Sequence, residues 1–147
     1  MNQRGFTLIE LLITLAIAAI LATVAVPAFN TFLARQQLAS DTNEILSGLN
    51  FARSKAITLR EDVIFQLKQG TDEVWGYEVY EVIDNGDDEL LRRRQGESLH
   101  IDINPIDITF DRLGRSDCSN TCTITVEHDR ENIDNDTIVV NSLGSVR

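Results

Sequence analysis

Hydrophobic and polar positions follow three successive patterns along the chain, and each pattern predicts a different element. From Phe6 to Val26 the sequence is apolar except at four positions. The exceptions are Thr7, Glu10, Thr14 and Thr23. A helix of about 20 apolar residues can span the hydrocarbon core of a bilayer. The first pattern therefore predicts a membrane-spanning helix over residues 6–27.

The second pattern, after Pro27, is that of an amphipathic helix. Apolar residues recur at steps of seven, four, three and four, which places them on one helical face. They are Leu38, Ile45, Leu49, Ala52 and Ala56. Charged residues such as Asp41 and Glu44 fall largely off this face. We expect a second helical half over residues 28–60, ending near Leu59, with its apolar stripe packed on the rest of the chain.

Beyond Glu61 the third pattern has the period of β-strands. Short segments rich in β-branched and aromatic residues are separated by turns containing Gly, Asn, Asp and Pro. The segments are VIFQLKQ, VWGYEVYEVI, LLRRR, ITF, CTITVEH and TIVVNS. Asn85-Gly86 predicts a hairpin between the second and third segments, because both residues tolerate the positive φ of a type I′ turn. The fold class is therefore α+β, with one long N-terminal α-helix packed on an antiparallel β-sheet or β-sandwich head at residues 61–147.

Charge is distributed unevenly between these parts. The formal net charge is −10, yet the first 27 residues hold only Arg4 and Glu10. The part after Pro27 is therefore acidic, which gives no broad footprint for nucleic acid. Because positive residues flank membrane spans on the cytoplasmic side, Arg4 predicts a cytoplasmic N-terminus and a head on the opposite side.

The two cysteines, Cys118 and Cys122, lie close together in the sequence. Two thiols fall short of the four ligands of a structural zinc site, and a compartment outside the cytoplasm is oxidising. One short-range disulfide is therefore favoured over two free buried thiols.

Glu10 is the unexpected residue of the apolar segment. A carboxylate at membrane depth is costly, so it calls for a partner or a role, although the helix N-terminus favours negative charge. An interfacial Glu10 that simply reaches the headgroups is the plainer alternative.

The stretch GFTLIE at residues 5–10, followed by the apolar run, resembles the processing signature of type IV pilins and of the pseudopilins of type II secretion. The resemblance implies that a prepilin peptidase cuts between Gly5 and Phe6, removes a leader at residues 1–5, and leaves Phe6 as an N-methylated N-terminus. It also implies that Glu10 pairs with the N-terminal ammonium during filament assembly. Pro27 falls where many members carry a helix-kinking proline.

Motifs in the head narrow the resemblance to the GspH/FimT group of minor subunits. They are Trp75-Gly76, Asp84 to Asp88, Leu91-Arg92, Phe110 with Gly114, and Gly144. The resemblance implies a minor pseudopilin that helps initiate or cap the periplasmic pseudopilus of a type II secretion system; the alternative is a minor pilin of a type IV pilus. Its partners would be other pilins or pseudopilins, the prepilin peptidase and the inner-membrane assembly platform. The location would be the cell inner membrane, single-pass, with a periplasmic head.

The arginines leave an alternative open. Some members of the FimT branch bind DNA through a Gly-Arg-x-Arg element, and the matching residues here are Gly144-Ser145-Val146-Arg147. Nucleic-acid contact by Arg92, Arg94 and Arg147 is therefore weighed against simple pairing with acidic neighbours, which the acidic composition favours. On a strand, Arg92 and Arg94 face one way and Arg93 the other.

No other chemistry is indicated by the sequence. The acidic turn at residues 84–89 could hold calcium but lacks the EF-hand pattern, so a solvated turn is favoured. His100 and His128 stand apart and are interpreted as surface or satisfied histidines. We therefore expect no metal and no cofactor, and the absence of catalytic motifs argues against an enzyme.

Overall fold

The computed structural model describes residues 6–70, 74–83 and 86–147. Within these residues one helix, α1 Leu8–Leu59, precedes seven strands. The strands are β1 Val63–Gln69, β2 Trp75–Glu81, β3 Glu89–Gln95, β4 Ile101–Ile103, β5 Ile106–Phe110, β6 Thr121–His128 and β7 Asp136–Asn141. All strand pairs are antiparallel, so the predicted α+β fold is confirmed.

Helix α1 has a defined cap at each end. The Thr7 side chain accepts a hydrogen bond from the Glu10 N–H at 3.3 Å, which satisfies one of the free donors of the first turn. Arg60 adopts a left-handed conformation with φ 61°, and its N–H donates to the Ala56 carbonyl at 3.0 Å. The helix continues through Pro27, and a kink there stays a prediction. Its 52 residues extend about 78 Å.

The two halves of α1 differ completely in burial. Every residue from Phe6 to Asn30 is exposed. The predicted stripe of the second half is buried against the head, together with Ala34 and Gly48. Gly48 allows the closest approach, since a Cβ there would lie 2.6 Å from the Tyr77 ring. The amphipathic half is therefore confirmed as the element on which the head is built.

The strands form two sheets, with orders β3-β2-β1-β5 and β4-β6-β7. In the first sheet, Phe65 of β1 lies opposite Val79 of β2 and Ile108 of β5. Alternate residues of both sheets point inward and form one core with the helix stripe. The largest buried side chains of the head are Trp75, Tyr77, Phe65 and Phe110.

The hairpin predicted between the second and third segments is present. Strands β2 and β3 pair from Gly76 opposite Gln95 to Glu81 opposite Glu89. Asn85 lies outside the described residues, so the type of the turn stays a prediction. Strand β4, in contrast, was not predicted, because three residues are too few to establish an alternating pattern.

Candidate functional site

The N-terminal end of α1 carries the residues that the processing signature singles out. Gly5 and the predicted leader lie outside the described residues. Phe6 is 89% exposed, and with Glu10, Leu11 and Thr14 it lines a shallow cleft of about 250 Å³. Among the described residues, the Glu10 carboxylate has no hydrogen-bond or ion-pair partner. Once buried among apolar helices, this carboxylate would need a partner.

The first half of α1 is an exposed apolar surface. It presents leucine, isoleucine, valine and phenylalanine side chains on all sides, from Phe6 at its start to Leu33. Within the described residues, α1 is the one helix long and apolar enough to cross a membrane. Surface of this kind needs lipid or other apolar helices to cover it.

Glu44 joins α1 to the edge of the first sheet. The Tyr77 hydroxyl donates to its Oε1 at 2.9 Å, and Arg92 Nη2 and Arg94 Nε lie 3.3 and 3.5 Å from the same oxygen. Burial and the hydrogen bond to Glu44 raise the pKa of Tyr77 to about 12, so this hydroxyl remains a neutral donor. The Arg92 guanidinium also lies 5.1 Å from the centroid of the Phe51 ring. Two arginines thus share one carboxylate at the helix–head junction.

Arg93 points to the opposite face of the same strand. It forms an ion pair with Glu78, whose carboxylate also lies 3.9 Å from Lys68 Nζ and accepts a hydrogen bond from the Tyr80 hydroxyl at 2.7 Å. The Tyr80 hydroxyl and the Arg93 guanidinium hold the pKa of Glu78 below its usual range. The predicted alternation of the arginine run and its pairing with acidic neighbours are therefore confirmed.

Arg147 lies apart from this group in the topology. Its backbone pairs with Val139 of β7, in the second sheet, whereas Arg92 and Arg94 belong to the edge strand of the first. The structure therefore brings together two of the three predicted nucleic-acid contacts and places the third on another sheet.

Two motif glycines meet beside the helix. Gly114 and Gly144 both have φ 75°, and a Cβ on Gly144 would lie 1.8 Å from the Gly114 carbonyl oxygen. Arg53 of α1 donates to the carbonyls of Gly114 and Leu143, at 3.1 and 3.3 Å. The helix thereby holds the loop after β5 and the segment after β7 together. Sequence reasoning missed Arg53, whose only signal was its position beside the apolar stripe.

The disulfide between Cys118 and Cys122 is confirmed, with Cα atoms 5.6 Å apart. It ties Cys118, in the connection after β5 of the first sheet, to Cys122 at the start of β6 in the second. The same connection is held by the Ser116 hydroxyl, which donates to the Asn141 carbonyl at 2.8 Å. The bond therefore fixes the local shape of the crossing between sheets.

The two histidines, which stand apart in the sequence, lie close together in the fold. Their rings are parallel with centroids 5.8 Å apart, and His100 Nδ1 lies 2.7 Å from Asp129. Strand β4, which was not predicted, brings them together, since it pairs with β6 and places Ile101 opposite His128. Within the described ranges, no group of three or more histidine, cysteine or carboxylate side chains could hold a metal ion. Asp84 and Asn85 of the acidic turn lie outside those ranges.

Comparison with known families decides the classification. The model of the family described as "Type II transport protein GspH" matches residues 41–144, which is most of the chain. The chain belongs to the GspH family. The model described as "Prokaryotic N-terminal methylation motif" matches residues 1–26, so the resemblance to pilin-like subunits is confirmed at both ends of the sequence.

Individual relatives of this GspH-family chain are fimbrial. The crystal structure of the type IV minor pilin FimU of Pseudomonas aeruginosa is 20% identical, with a TM-score of 0.64 over 79% of this chain and 90% of that one, and shows the same fold. A fimbrial protein of the same organism is 40% identical over 62 residues, 42% of this chain and 40% of the relative. The type IV major fimbrial protein FimA of Dichelobacter nodosus is 60% identical over 37 residues, 25% of this chain and 23% of the relative. The match thus spans less than half the length of these two sequence relatives.

The family and the geometry agree on the kind of protein. The chain has the pilin fold and belongs to the GspH family, which is a family of structural pilin-like subunits and not an enzyme family. Its exposed apolar helix and its methylation motif indicate a membrane-anchored subunit.

Proposed function

We propose that the chain is a minor pseudopilin that helps initiate or cap the periplasmic pseudopilus of a type II secretion system. The observation that carries the proposal is a GspH head joined to a helix whose first half is uncovered. Lipid covers this half before assembly, and the helices of other subunits cover it afterwards. The buried second half carries the head to the filament surface.

Processing prepares the helix for assembly. Prepilin peptidase removes residues 1–5 by cutting between Gly5 and Phe6, and Phe6 is then N-methylated. The match to the methylation motif over residues 1–26 supports this step. The N-terminus is cytoplasmic, and the head is periplasmic until the inner-membrane assembly platform extracts the subunit.

Glu10 sets the axial register of the subunit. Its carboxylate pairs with a processed N-terminal ammonium, because an unpaired charge buried among apolar helices is strongly unfavourable. We expect Glu10→Ala and Glu10→Gln to be processed and inserted normally, while their recovery in sheared filaments falls at least about tenfold, the equivalent of about 1.4 kcal/mol.

Thr14→Ala, four residues along the same helix face, is the matched control and should assemble like the unmodified chain. Immunoblots of the membrane fraction measure the processed and inserted subunit, and immunoblots of the filament fraction measure its recovery in filaments. Normal assembly of Glu10→Ala would contradict the role given to the carboxylate.

The alternative is a minor pilin of a type IV pilus, which the similarity to fimbrial proteins of two organisms favours. Deletion of the gene separates the two. Loss of exoproteins from the medium with normal surface pili supports the pseudopilus. Loss of pili or of DNA uptake with normal secretion supports the minor pilin.

A further inference from the structure

The outer edge of β3 is an open strand edge. β3 Glu89–Gln95 lies at the end of the first sheet, so one row of its main-chain N–H and C=O groups faces away from β2. No strand of the described residues pairs with this row. Most side chains of β3 are exposed. An edge of this kind can accept one further strand.

This edge carries a local excess of positive charge on a chain of net charge −10. On one face, Arg92 and Arg94 share the Glu44 carboxylate, and on the other, Arg93 and Lys68 share Glu78. Around residues 92–94, four cations thus meet two carboxylates, whereas the start of β3 carries Glu89 opposite Glu81. The side chains of Arg93 and Arg94 remain 66% and 59% exposed, so their remaining N–H donors are accessible to a ligand.

A cleft at the same end of the strand adds room for a side chain. Its volume is about 220 Å³, and Lys68, Arg93 and Arg94 contribute to its lining. Gly76 of β2 also lines it and leaves space beside the strand. Glu78 lines the cleft as well, so an entering carboxylate would meet cations from two strands that already share one carboxylate.

The same features exclude two kinds of partner. A second copy paired antiparallel about Arg92 or Arg93 would place arginine opposite arginine, which is repulsive. A neutral strand would leave the surplus charge uncompensated. The strand also contains a bulge, since Val79 pairs with Arg92 while Tyr80 pairs with Leu90, and bulges and charges protect edges from indiscriminate pairing. The edge is therefore selective for acidic strands.

We propose that the outer edge of β3 docks an extended acidic segment of a neighbouring pilin-type subunit, through main-chain pairing and carboxylate contacts to Arg93 and Arg94. The inference rests on the proposed function, because it supplies the contact by which the head joins its neighbour. Duplex DNA would use the arginines but not the main-chain edge, so the strand geometry favours a protein segment.

The test uses the full chain in detergent and a fluorescent peptide of about eight residues, the length of a typical strand, made of Glu, Thr and Val. Fluorescence anisotropy should show saturable binding. The double variant Arg93→Glu with Arg94→Glu should bind the peptide at least about tenfold more weakly. The double variant Arg93→Gln with Arg94→Gln should lose less affinity. Arg112→Glu reverses a charge at an exposed position outside β3 and is the matched control. Its affinity for the peptide should stay within about twofold of that of the unmodified chain. Circular dichroism verifies that each variant is folded.

A second peptide isolates the main-chain contribution. N-methylation at alternate residues removes backbone donors but keeps every carboxylate, so we expect this peptide to lose binding. Equal binding of the methylated peptide, or no effect of the arginine substitutions, would overturn the inference. Tighter binding of a duplex DNA than of the acidic peptide would assign the arginines to nucleic acid instead.

The outcome is separable from that of the proposed function. If deletion of the gene abolishes secretion but the peptide does not bind, the edge is not the docking site and the function stands. If deletion affects neither secretion nor pili, the proposed function fails whatever the peptide does.

Discussion

At the scale of single residues, Gly144 occupies a conformation and a space that suit only glycine. Its φ is 75°, and a Cβ would lie 1.8 Å from the Gly114 carbonyl oxygen. Left-handed backbone costs a residue with a Cβ about 1–2 kcal/mol, and overpacking adds about 1–3 kcal/mol. We expect Gly144→Ala to lower the free energy of unfolding by about 3 kcal/mol.

Urea unfolding followed by the fluorescence of Trp75, the single tryptophan, measures this loss in the head. Ser145→Ala is the control, since its side chain is exposed, and should change the free energy by less than about 0.5 kcal/mol. Equal stability of the two variants would contradict the close contact between Gly144 and the Gly114 carbonyl.

Asp41 is a carboxyl group that weakens the fold when it is ionised. Its Oδ2 atom is buried without a hydrogen-bond partner among the described residues. Burial, reinforced by Glu97 and Glu44 and opposed by Trp75 and His128, raises the pKa of Asp41 above 3.8. A pKa higher in the folded state means that the proton binds the folded chain more tightly, so stability falls as pH rises from 3.8 through the folded pKa.

Asp41→Asn removes this charge, so we expect it to stabilise the head at pH 7. The gain should vanish near pH 3, where the aspartate is protonated in both states. Urea titrations at several pH values measure the difference between the two proteins. A difference that is constant across this range would contradict the assigned cause. Asn43→Asp, which places a carboxylate at an exposed position of the same helix, is the control and should show little pH dependence.

Single residues were predictable from the sequence only where a local motif identifies them. Phe6 and Glu10 belong to one short signature, and the pairing of Cys118 with Cys122 follows from their spacing. The contacts of Glu44 and Arg53 depend on which strand edge and which loops return to the helix. That information is a property of the three-dimensional topology, and no local pattern contains it.

At the scale of elements, the helix and six of the seven strands within the described residues follow from hydrophobic period. The stripe from Leu38 to Ala56 has helical spacing because one face packs on a sheet. Buried and partly exposed residues alternate along β1 and β2 because one face of their sheet packs on the core. β4 was missed because it is short, and the neighbouring positions of His100 and His128 were missed with it. The division into two sheets was likewise not predictable, since it depends on non-local pairing.

The disulfide belongs to the connection between the two sheets, and its effect should be modest. Closing so short a loop restricts the unfolded chain little, about 2 kcal/mol on the loop-length relation. We expect Cys118→Ser with Cys122→Ser to lower the free energy of unfolding by that amount without loss of the fold.

Unfolding of the unmodified chain with and without reductant gives an independent measurement, and the double serine variant should be insensitive to reductant. A loss much above this value would mean that the bond also holds the sheets together. No loss would mean that the contact of Ser116 with Asn141 fixes the connection by itself.

At the scale of the whole molecule, two surfaces of opposite chemistry are joined by one helix. The first half of α1 is exposed and almost entirely apolar, whereas the head at residues 61–147 has 8 Lys and Arg against 20 Asp and Glu, a formal net charge of −12. An isolated subunit is therefore stable only while lipid or other helices cover the apolar half. The acidic head keeps such subunits apart from anionic surfaces and leaves β3 as a local positive exception.

The same charge balance predicts that the full chain binds duplex DNA only weakly. Arg92 and Arg94 lie on β3 of the first sheet and Arg147 lies beside the second, and the rest of the head is acidic, so few phosphates could be neutralised at once. In anisotropy titrations at about 0.15 M salt, we expect a dissociation constant weaker than about 100 µM, the weak limit of non-specific binding. Alanine substitution of Arg92 and Arg94 should leave that weak binding unchanged, as should Arg112→Ala. The opposite result is micromolar, salt-sensitive binding that is lost in the Arg92 and Arg94 alanine variant and kept in Arg112→Ala. That result would identify a nucleic-acid site at the edge of the first sheet. It would also favour a pilus that takes up DNA over a secretion pseudopilus.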